Sequence, residues 1–282
     1  MIWWLKQLIM SRRVASDKER ARDAPSADGT HGAVSTRALA YQDLETSFTG
    51  VLSWSDAQRG RRPGILLIHG GAGLDEHARD QARRYAVLGY VVLACDMFGD
   101  GIAGDRERVI RCLTILRDNP ALLVRRGRAG LTALSRCPEA SEPFAAVGFC
   151  FGGMAALALA RAGTRLAGAV SIHGSLATAS PAQPGSVTAR LLVCHGAMDP
   201  HVPMAGVVAF AEEMDRAGAD WQLIMYGGAQ HGFTHEHAPP AATPGVAYHA
   251  LSDERSFAAA SAFLAEACPI AGGQPGQPGQ EE

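Results

Sequence analysis

The chain has 282 residues, enough for one large or two medium-sized domains, and 47% of its residues are hydrophobic while 19% are charged. This composition is close to that of ordinary globular proteins and excludes a chain that is disordered throughout. The formal net charge of −2 leaves no basic excess for binding nucleic acid, so we expect no nucleic-acid partner.

The two ends of the chain differ from its middle. The opening MIWWLKQLIM is too short to span a bilayer and precedes no small-residue cleavage site, so we predict neither a membrane span nor a signal peptide. It is either a dispensable or misassigned start or a weak interfacial anchor. The polar residues after it, and the Gly-, Pro- and Gln-rich end, cannot form a core. We therefore predict a flexible extension over residues 1–36, one domain over 37–270 and a disordered tail over 271–282.

Within the predicted domain, short runs rich in Val, Ile and Leu alternate with longer segments of helical character. Strands are predicted at ALAYQD, at SFTGVLSW and at 64–70, 90–98, 144–150, 166–174, 190–196 and 221–228. Helices are predicted over 75–89, 151–163, 204–218 and 249–267. This alternation predicts an α/β fold, a three-layer α/β/α sandwich with a mostly parallel, doubly wound sheet. Reactive side chains of such sheets lie at the carboxyl ends of the strands.

The strongest chemical signal is a G-x-nucleophile-x-G pattern, Gly148-Phe149-Cys150-Phe151-Gly152, between a predicted strand and a predicted helix. The glycines permit a sharp turn that presents Cys150 at the head of the helix, where the helix dipole favours a thiolate. The alternative is that Cys150 is one more small buried thiol. The strand-to-helix context favours a nucleophile.

A thiol nucleophile needs a base to take its proton and an acid to orient that base. Enzymes of this topology carry them in the order nucleophile, acid, histidine. Asp199 in HGAMDPHVP and His231 in GGAQHGF follow Cys150 in that order. Asp199 could instead cap a helix or form an Asx-turn, and His235 and His237 are rival bases in the same loop. We take Cys150, Asp199 and His231 as the candidate catalytic residues.

The oxyanion formed by nucleophilic attack needs two N–H donors. One is expected from the backbone of Phe151, which directly follows the nucleophile. The other is expected from Gly71, in the His69-Gly70-Gly71 stretch after the third predicted strand.

Six stretches together resemble one known family: ILLIHGGAGL-x-x-H-x-R-D, LGYVVLACDMFGDG, AAVGFCFGG, VSIHG, VCHGAMDPHVP and YGGAQHGF. The resemblance covers about residues 40 to 267. The chain resembles the dienelactone hydrolase family of the α/β-hydrolase fold. The resemblance implies a Cys-Asp-His triad, carried here by Cys150, Asp199 and His231. It also implies a carboxylic ester or lactone substrate.

The chain departs from that family at three positions. Members that open dienelactones carry a glutamate where this chain has Gly70, and arginines for the substrate carboxylate where it has Asp100 and His235. A carboxylate-bearing dienelactone is therefore a poor candidate substrate, because its anion would meet no fixed guanidinium. Asp75 and Glu76 are the carboxylates that could replace the missing glutamate.

Substrate contacts are expected from residues near these motifs, namely His69, Gly70, Phe98, His173 and His235. For His173, a hydrogen-bonded histidine near the core is an equal alternative. Eight arginines between Gly104 and Cys137 could bind an anionic acyl group, but interspersed acidic residues favour a solvated helix face.

The leading hypothesis is a cysteine-dependent hydrolase that cleaves an ester or lactone through an acyl-thioester. No metal or organic cofactor is expected, and the protein is expected to be a monomer or homodimer. The six cysteines lie far apart without a CxxC pair, which indicates reduced thiols and a cytoplasmic location. The alternatives are a thioesterase or small-acyl esterase with a different pocket, and a non-catalytic ligand-binding protein of the same fold.

Overall fold

The structure is a computed structural model that describes residues 33–236 and 243–270. The predictions for residues 1–32 and for the tail over 271–282 lie outside the described residues. The first strand begins at Val34, inside the stretch predicted as the N-terminal extension.

A single sheet of eight strands runs through the described residues, in the spatial order β1-β2-β4-β3-β5-β6-β7-β8. The strands are β1 (Val34–Asp43), β2 (Thr46–Ser55), β3 (Arg62–Ile68), β4 (Val91–Cys95), β5 (Ala140–Phe149), β6 (Gly168–Ile172), β7 (Arg190–Gly196) and β8 (Trp221–Tyr226). β2 is antiparallel to β1 and β4, and every other pair is parallel. The chain turns back across the sheet between β3 and β5, and ligands of such sheets bind at this switch point.

Six helices are described: α1 (Glu76–Val87), α2 (Arg106–Asp118), α3 (Pro120–Ser135), α4 (Phe151–Arg161), α5 (Met204–Ala217) and α6 (Ala250–Ala267). The four predicted helices are present. α2 and α3 are additional and occupy the arginine-rich stretch. Asp105 caps α2, and Asn119 together with Pro120 begins α3, so local capping sets both starts.

Two apolar cores lie on opposite faces of the sheet and confirm the three-layer prediction. Leu66 and Ile68 of β3 pack in the core covered by α2 to α5, while Ile65 and Leu67 pack in the core covered by α1 and α6. Because β3 is buried on both faces, its sequence is an uninterrupted apolar run instead of an alternating one.

Three arginines of α3 make contacts with neighbouring elements in addition to forming the predicted helix face. Arg125 pairs with the buried carboxylate of Asp43 at 2.9 Å. Arg126 donates to the backbone oxygen of Phe98 at 3.2 Å, and Arg128 donates to the backbone at the end of α4 at 2.8 Å. These contacts tie α3 to β1, to the loop after β4 and to α4.

A buried ion pair joins α4 to α5. Arg161 donates to both carboxylate oxygens of Glu213 at 2.8 Å, and also to the backbone oxygen of Leu176 at 2.9 Å. Glu213 also accepts the N–H of Ala182 at 2.8 Å. Every polar partner of the pair is thus inside the protein, which is the condition for a buried ion pair to be tolerated.

The turn from β5 into α4 depends on two positions without side chains. A Cβ added to Gly148 would overlap the backbone oxygen of Gly152, and a Cβ added to Gly152 would overlap the backbone oxygen of Ile68 in β3. Neither obstacle is a flexible side chain. Glycine at both positions therefore lets α4 lie directly against β3 and β5.

We predict that Gly152→Ala destabilises the protein, because the added methyl group must displace backbone. A cost of about 3 kcal/mol corresponds to a melting temperature lower by about 10 °C. Gly206→Ala is the matched control, since Gly206 lies in α5 with nothing closer than 4.0 Å to the added carbon. Thermal unfolding followed by circular dichroism measures both, and equal melting temperatures for the two variants would contradict the packing described here.

Candidate active site

Cys150 lies at the carboxyl end of β5 and directly precedes the first residue of α4. Its backbone has φ +53°, a left-handed conformation that is rare for a residue with a side chain and costs about 1–3 kcal/mol. A hydrogen bond of 3.0 Å from its N–H to the oxygen of Ile172 holds it there. Only 6% of Cys150 is exposed. The strained turn aims its sulfur at the site while burying it from bulk water.

The structure brings the three predicted catalytic side chains into one line. His231 Nε2 lies 3.1 Å from Cys150 Sγ, and His231 Nδ1 lies 2.8 Å from Asp199 Oδ2. All three residues are buried. The rival base His237 lies outside the described residues, and the other rival, His235, is stacked on His77.

Asp199 also makes the turn that the alternative interpretation proposed. Its Oδ1 accepts the backbone N–H of His201 at 2.8 Å and of Val202 at 3.3 Å. α5 begins only at Met204, so Asp199 is not its cap. One oxygen of the carboxylate thus fixes the loop and the other faces His231.

Backbone contacts hold the loop of His231. The N–H of His231 donates to Gly245 at 3.0 Å, and its oxygen accepts from Ala247 at 3.1 Å. The end of β7 approaches the same loop closely, since a Cβ on Gly196 would lie 2.6 Å from the oxygen of Ala229. These contacts set the distance between the histidine and the sheet.

The charges of Cys150, His231 and Asp199 shift the pKa values of these three residues. Burial raises the pKa of Cys150, but the charge and hydrogen bond of His231 and the N–H groups of Phe151 and Gly71 lower it below its ordinary value. Burial lowers the pKa of His231, but Cys150 and Asp199 raise it to about 10. Burial raises the pKa of Asp199, and His231 brings it below its ordinary value. These shifts favour a thiolate beside an imidazolium.

The two predicted oxyanion donors lie next to Cys150. The backbone N–H groups of Phe151 and Gly71 both reach the sulfur of Cys150. They come from the start of α4 and from the loop after β3, which are neighbours because β3 pairs with β5. An oxygen on a carbon bonded to this sulfur would meet the same two donors.

Two predicted substrate contacts have structural roles instead. His69 has no exposed surface, and its ring nitrogens lie 2.7 Å from the oxygen of Gly70 and 3.1 Å from the N–H of Met97. Phe98 is 1% exposed and packs its ring against His69 and Phe151. We therefore correct both predictions: these side chains have no free surface or free polar atom for a substrate and support the loop after β3.

His173 belongs to a buried hydrogen-bonded network with Thr234 and His77. Its Nε2 lies 2.9 Å from Thr234 Oγ1, and that oxygen also lies 3.0 Å from His77 Nε2. His173 has no exposed surface, so its core alternative fits better than substrate contact. Since one hydroxyl can donate once and still accept, Thr234 can join both rings. His77 stands in a quoted motif, but neither it nor Thr234 carries a pattern that predicts this contact.

Both carboxylates that could replace the family glutamate have other partners, although the charge of Asp75 also acts on His69 and His235. Asp75 Oδ1 accepts the N–H of Ala78 at the start of α1 at 3.1 Å. Glu76 pairs with Arg83 at 2.9 Å. Position 70 itself carries no side chain, and His235 Nε2 faces it.

Among residues 33–236 and 243–270, no group of three or more His, Cys, Asp or Glu side chains could hold a metal ion. Within the same ranges, no helix is both long and apolar enough to cross a bilayer.

A sequence model of the dienelactone hydrolase family matches residues 48–268. The chain belongs to the dienelactone hydrolase family. Membership in this family makes the protein an α/β-hydrolase-fold hydrolase that acts on ester or lactone bonds, as the sequence predicted.

Known relatives agree with this family assignment. A dienelactone hydrolase-like promiscuous phosphotriesterase from metagenomic libraries is 36% identical, with a TM-score of 0.78 over 84% of this chain and 100% of its own. A candidate carboxymethylenebutenolidase of Yersinia pestis is 27% identical over 70% of this chain and 75% of its own length. An uncharacterized protein of Caenorhabditis elegans is 36% identical over 53% of this chain and 97% of its own length.

The lowered pKa of Cys150 predicts that the thiol is alkylated at pH values below its ordinary pKa of 9.0. Reactivity is lost only as the pH falls through the lowered pKa, because protonation removes the thiolate. Asp199→Asn removes the charge that supports the imidazolium, so the pH midpoint should rise by about one unit.

The rate of iodoacetamide labelling of Cys150, followed by mass spectrometry across pH, measures this midpoint. Asp215→Asn removes an exposed carboxylate of α5 and is the control. A midpoint that is the same in both variants would show that Asp199 does not act on the thiol.

Proposed function

We propose that this protein is a cysteine hydrolase that cleaves an uncharged carboxylic ester or lactone through an acyl-thioester. Cys150 is the nucleophile, His231 the acid and base, and Asp199 the residue that orients His231. The observation that carries the proposal is the buried line from Cys150 Sγ through His231 to Asp199, with distances of 3.1 and 2.8 Å. A ligand-binding protein has no need for a thiol, an imidazole and a carboxylate held in this way.

In the acylation step, the Cys150 thiolate attacks the carbonyl carbon and forms a C–S bond. The carbonyl oxygen takes the negative charge and accepts hydrogen bonds from the N–H groups of Phe151 and Gly71. Collapse of this intermediate breaks the C–O bond of the ester. His231 Nε2 gives its proton to the leaving oxygen, so that the alcohol departs neutral and the acyl group remains on sulfur.

In the deacylation step, the now neutral His231 takes a proton from water, and the water oxygen attacks the thioester carbon. Collapse breaks the C–S bond and releases the carboxylic acid. The thiolate and imidazolium are restored. Asp199 stays hydrogen-bonded to Nδ1 throughout and keeps Nε2 directed at the reacting atoms.

An uncharged substrate fits the charges around Cys150. The largest cationic influence on the pKa of Cys150 comes from His231, which the mechanism already uses. Asp100 occupies the position of a family arginine. Its backbone N–H donates to the backbone oxygen of Ser47 at 3.0 Å. A substrate carboxylate would therefore lose its hydration without gaining a guanidinium partner.

The cytoplasm remains our proposed location, and a monomer or homodimer our proposed assembly. All six cysteines are described, and all are free thiols. Free thiols, one of them in the nucleophile position, are typical of a reducing compartment.

We predict that Cys150→Ala lowers kcat/KM for an uncharged aryl ester by at least about 10³-fold, because the variant lacks the thiol that lies 3.1 Å from His231 Nε2. Rapid acid quenching of the unaltered enzyme should trap an acyl group on the peptide that contains Cys150. Cys112→Ala changes a half-buried thiol outside the site and should leave the rate unchanged. Mass spectrometry and steady-state kinetics provide the two readouts.

Retention of ester hydrolysis by Cys150→Ala would overturn the mechanism. Absence of both turnover and acyl labelling across a panel of esters, lactones and thioesters would favour the ligand-binding alternative. Strong preference for thioesters within the panel would favour the thioesterase alternative.

We also predict that the enzyme prefers an uncharged ester over the matched ester that carries a carboxylate. His235→Arg should raise relative activity on the charged ester by about tenfold, because a guanidinium can pair with its anion. The ratio of kcat/KM for the two substrates is the measurement. Preference of the unaltered enzyme for the charged ester would refute the proposed substrate class.

A further inference from the structure

The absence of a side chain at Gly70 leaves space beside the nucleophile. A Cβ added to Gly70 would lie 3.8 Å from the Cβ of Cys150, 3.7 Å from the oxygen of Phe149 and 3.6 Å from Nε2 of His235. All three are ordinary van der Waals distances, so the position has room for a methyl group. The backbone of Gly70 is also outside the left-handed region, so glycine is not needed there for conformation.

His235 forms the polar wall of this space and is held by its neighbours. Its ring stacks on His77 with centroids 3.8 Å apart, and its N–H donates to the oxygen of Gly232 at 2.9 Å. His77 is itself fixed by Thr234 and by an edge contact with Phe149. Within the described parts of the chain, neither ring nitrogen of His235 has a hydrogen-bond partner. The half-buried imidazole therefore presents an unused polar atom beside Cys150.

Burial lowers the pKa of His235, the charge of Asp75 opposes this shift and the charge of His231 adds to it, and the resulting pKa is about 4. The imidazole is consequently neutral at neutral pH and can either donate or accept one hydrogen bond. A neutral polar group suits an uncharged polar atom better than a carboxylate.

The chemistry at Cys150 indicates which part of a substrate would enter this space. The carbonyl oxygen must face Phe151 and Gly71, and the leaving oxygen must lie within reach of His231 Nε2. The acyl chain must then point away from both the oxyanion donors and His231. Gly70 is adjacent to Gly71, and a Cβ on Gly70 would contact Cys150. The substrate carbon next to the carbonyl would therefore lie beside Gly70.

We propose that the space at Gly70 is an acyl subsite that receives an uncharged polar substituent on the carbon next to the scissile carbonyl, with His235 Nε2 as its hydrogen-bond partner. The substrate class is then that of 2-substituted esters and lactones, of which a 2-hydroxy ester is the simplest. This inference rests on the proposed hydrolase function and narrows its substrate.

The experiment compares three aryl esters that share one leaving group: acetate, 2-methylpropanoate and 2-hydroxypropanoate. Gly70→Ala fills the space and should lower kcat/KM for both branched esters relative to acetate by about tenfold. His235→Phe keeps a ring to stack on His77 but removes Nε2. It should lower the ratio of 2-hydroxypropanoate to 2-methylpropanoate by about fivefold, and His235→Gln should restore part of that ratio.

Gly206→Ala is the control for adding a methyl group elsewhere and should leave all three ratios unchanged. Thermal unfolding of each variant shows whether it is folded. Equal effects of Gly70→Ala on acetate and the branched esters would overturn the subsite, and so would an unchanged ratio in His235→Phe. Failure of the hydrolase proposal itself would give a different result, because the unaltered protein would then not hydrolyse the acetate ester or would do so without Cys150.

Discussion

The close contact of α4 with β3 and β5 is the constraint on which the rest of the site depends. It exists because Gly148 and Gly152 have no side chains where backbone meets backbone. The contact forces the chain to turn within one residue, and Cys150 takes the left-handed conformation at that turn. The same contact brings the N–H groups of Phe151 and Gly71 to one sulfur atom. The proposed nucleophile and the proposed oxyanion donors are therefore placed by main-chain packing instead of by flexible side chains.

The position of His231 depends on the Asp199 carboxylate, whose two oxygens make different contacts. Asp199 Oδ1 closes the turn after β7, and Asp199 Oδ2 holds His231. Because the turn already prevents the carboxylate from rotating, no side-chain freedom is lost when it pairs with His231. The two interpretations that the sequence left open for Asp199 were therefore compatible. The turn thus fixes the Asp199 carboxylate independently of its hydrogen bond to His231.

Much of the fold and the central side chains could be predicted, because both follow short-range patterns. Uninterrupted apolar runs such as β3 indicate strands covered on both faces, and the elbow around Cys150 is a local motif. The arginine-rich stretch predicts a solvated helix face, but it predicts neither the bounds of α2 and α3 nor the hydrogen bond from Arg126 to the backbone after β4. The sequence predicts substrate contact for His69 and leaves substrate contact and a core position equally open for His173. Whether a histidine at a strand end faces substrate or core depends on distant groups, such as Thr234 for His173, and the sequence gives no sign of those pairings.

The ion pair between Arg161 and Glu213 has a consequence for behaviour at high temperature. The free energy of hydration of charged groups becomes less favourable on heating, so the cost of keeping this pair away from water falls. Hydrophobic stabilisation per unit area levels off over the same range. The ion pair that joins α4 to α5 thus makes a larger relative contribution to the free energy of unfolding as the temperature rises. Since Cys150 directly precedes α4, we expect the surroundings of Cys150 to remain ordered closer to the unfolding temperature than segments without such a pair.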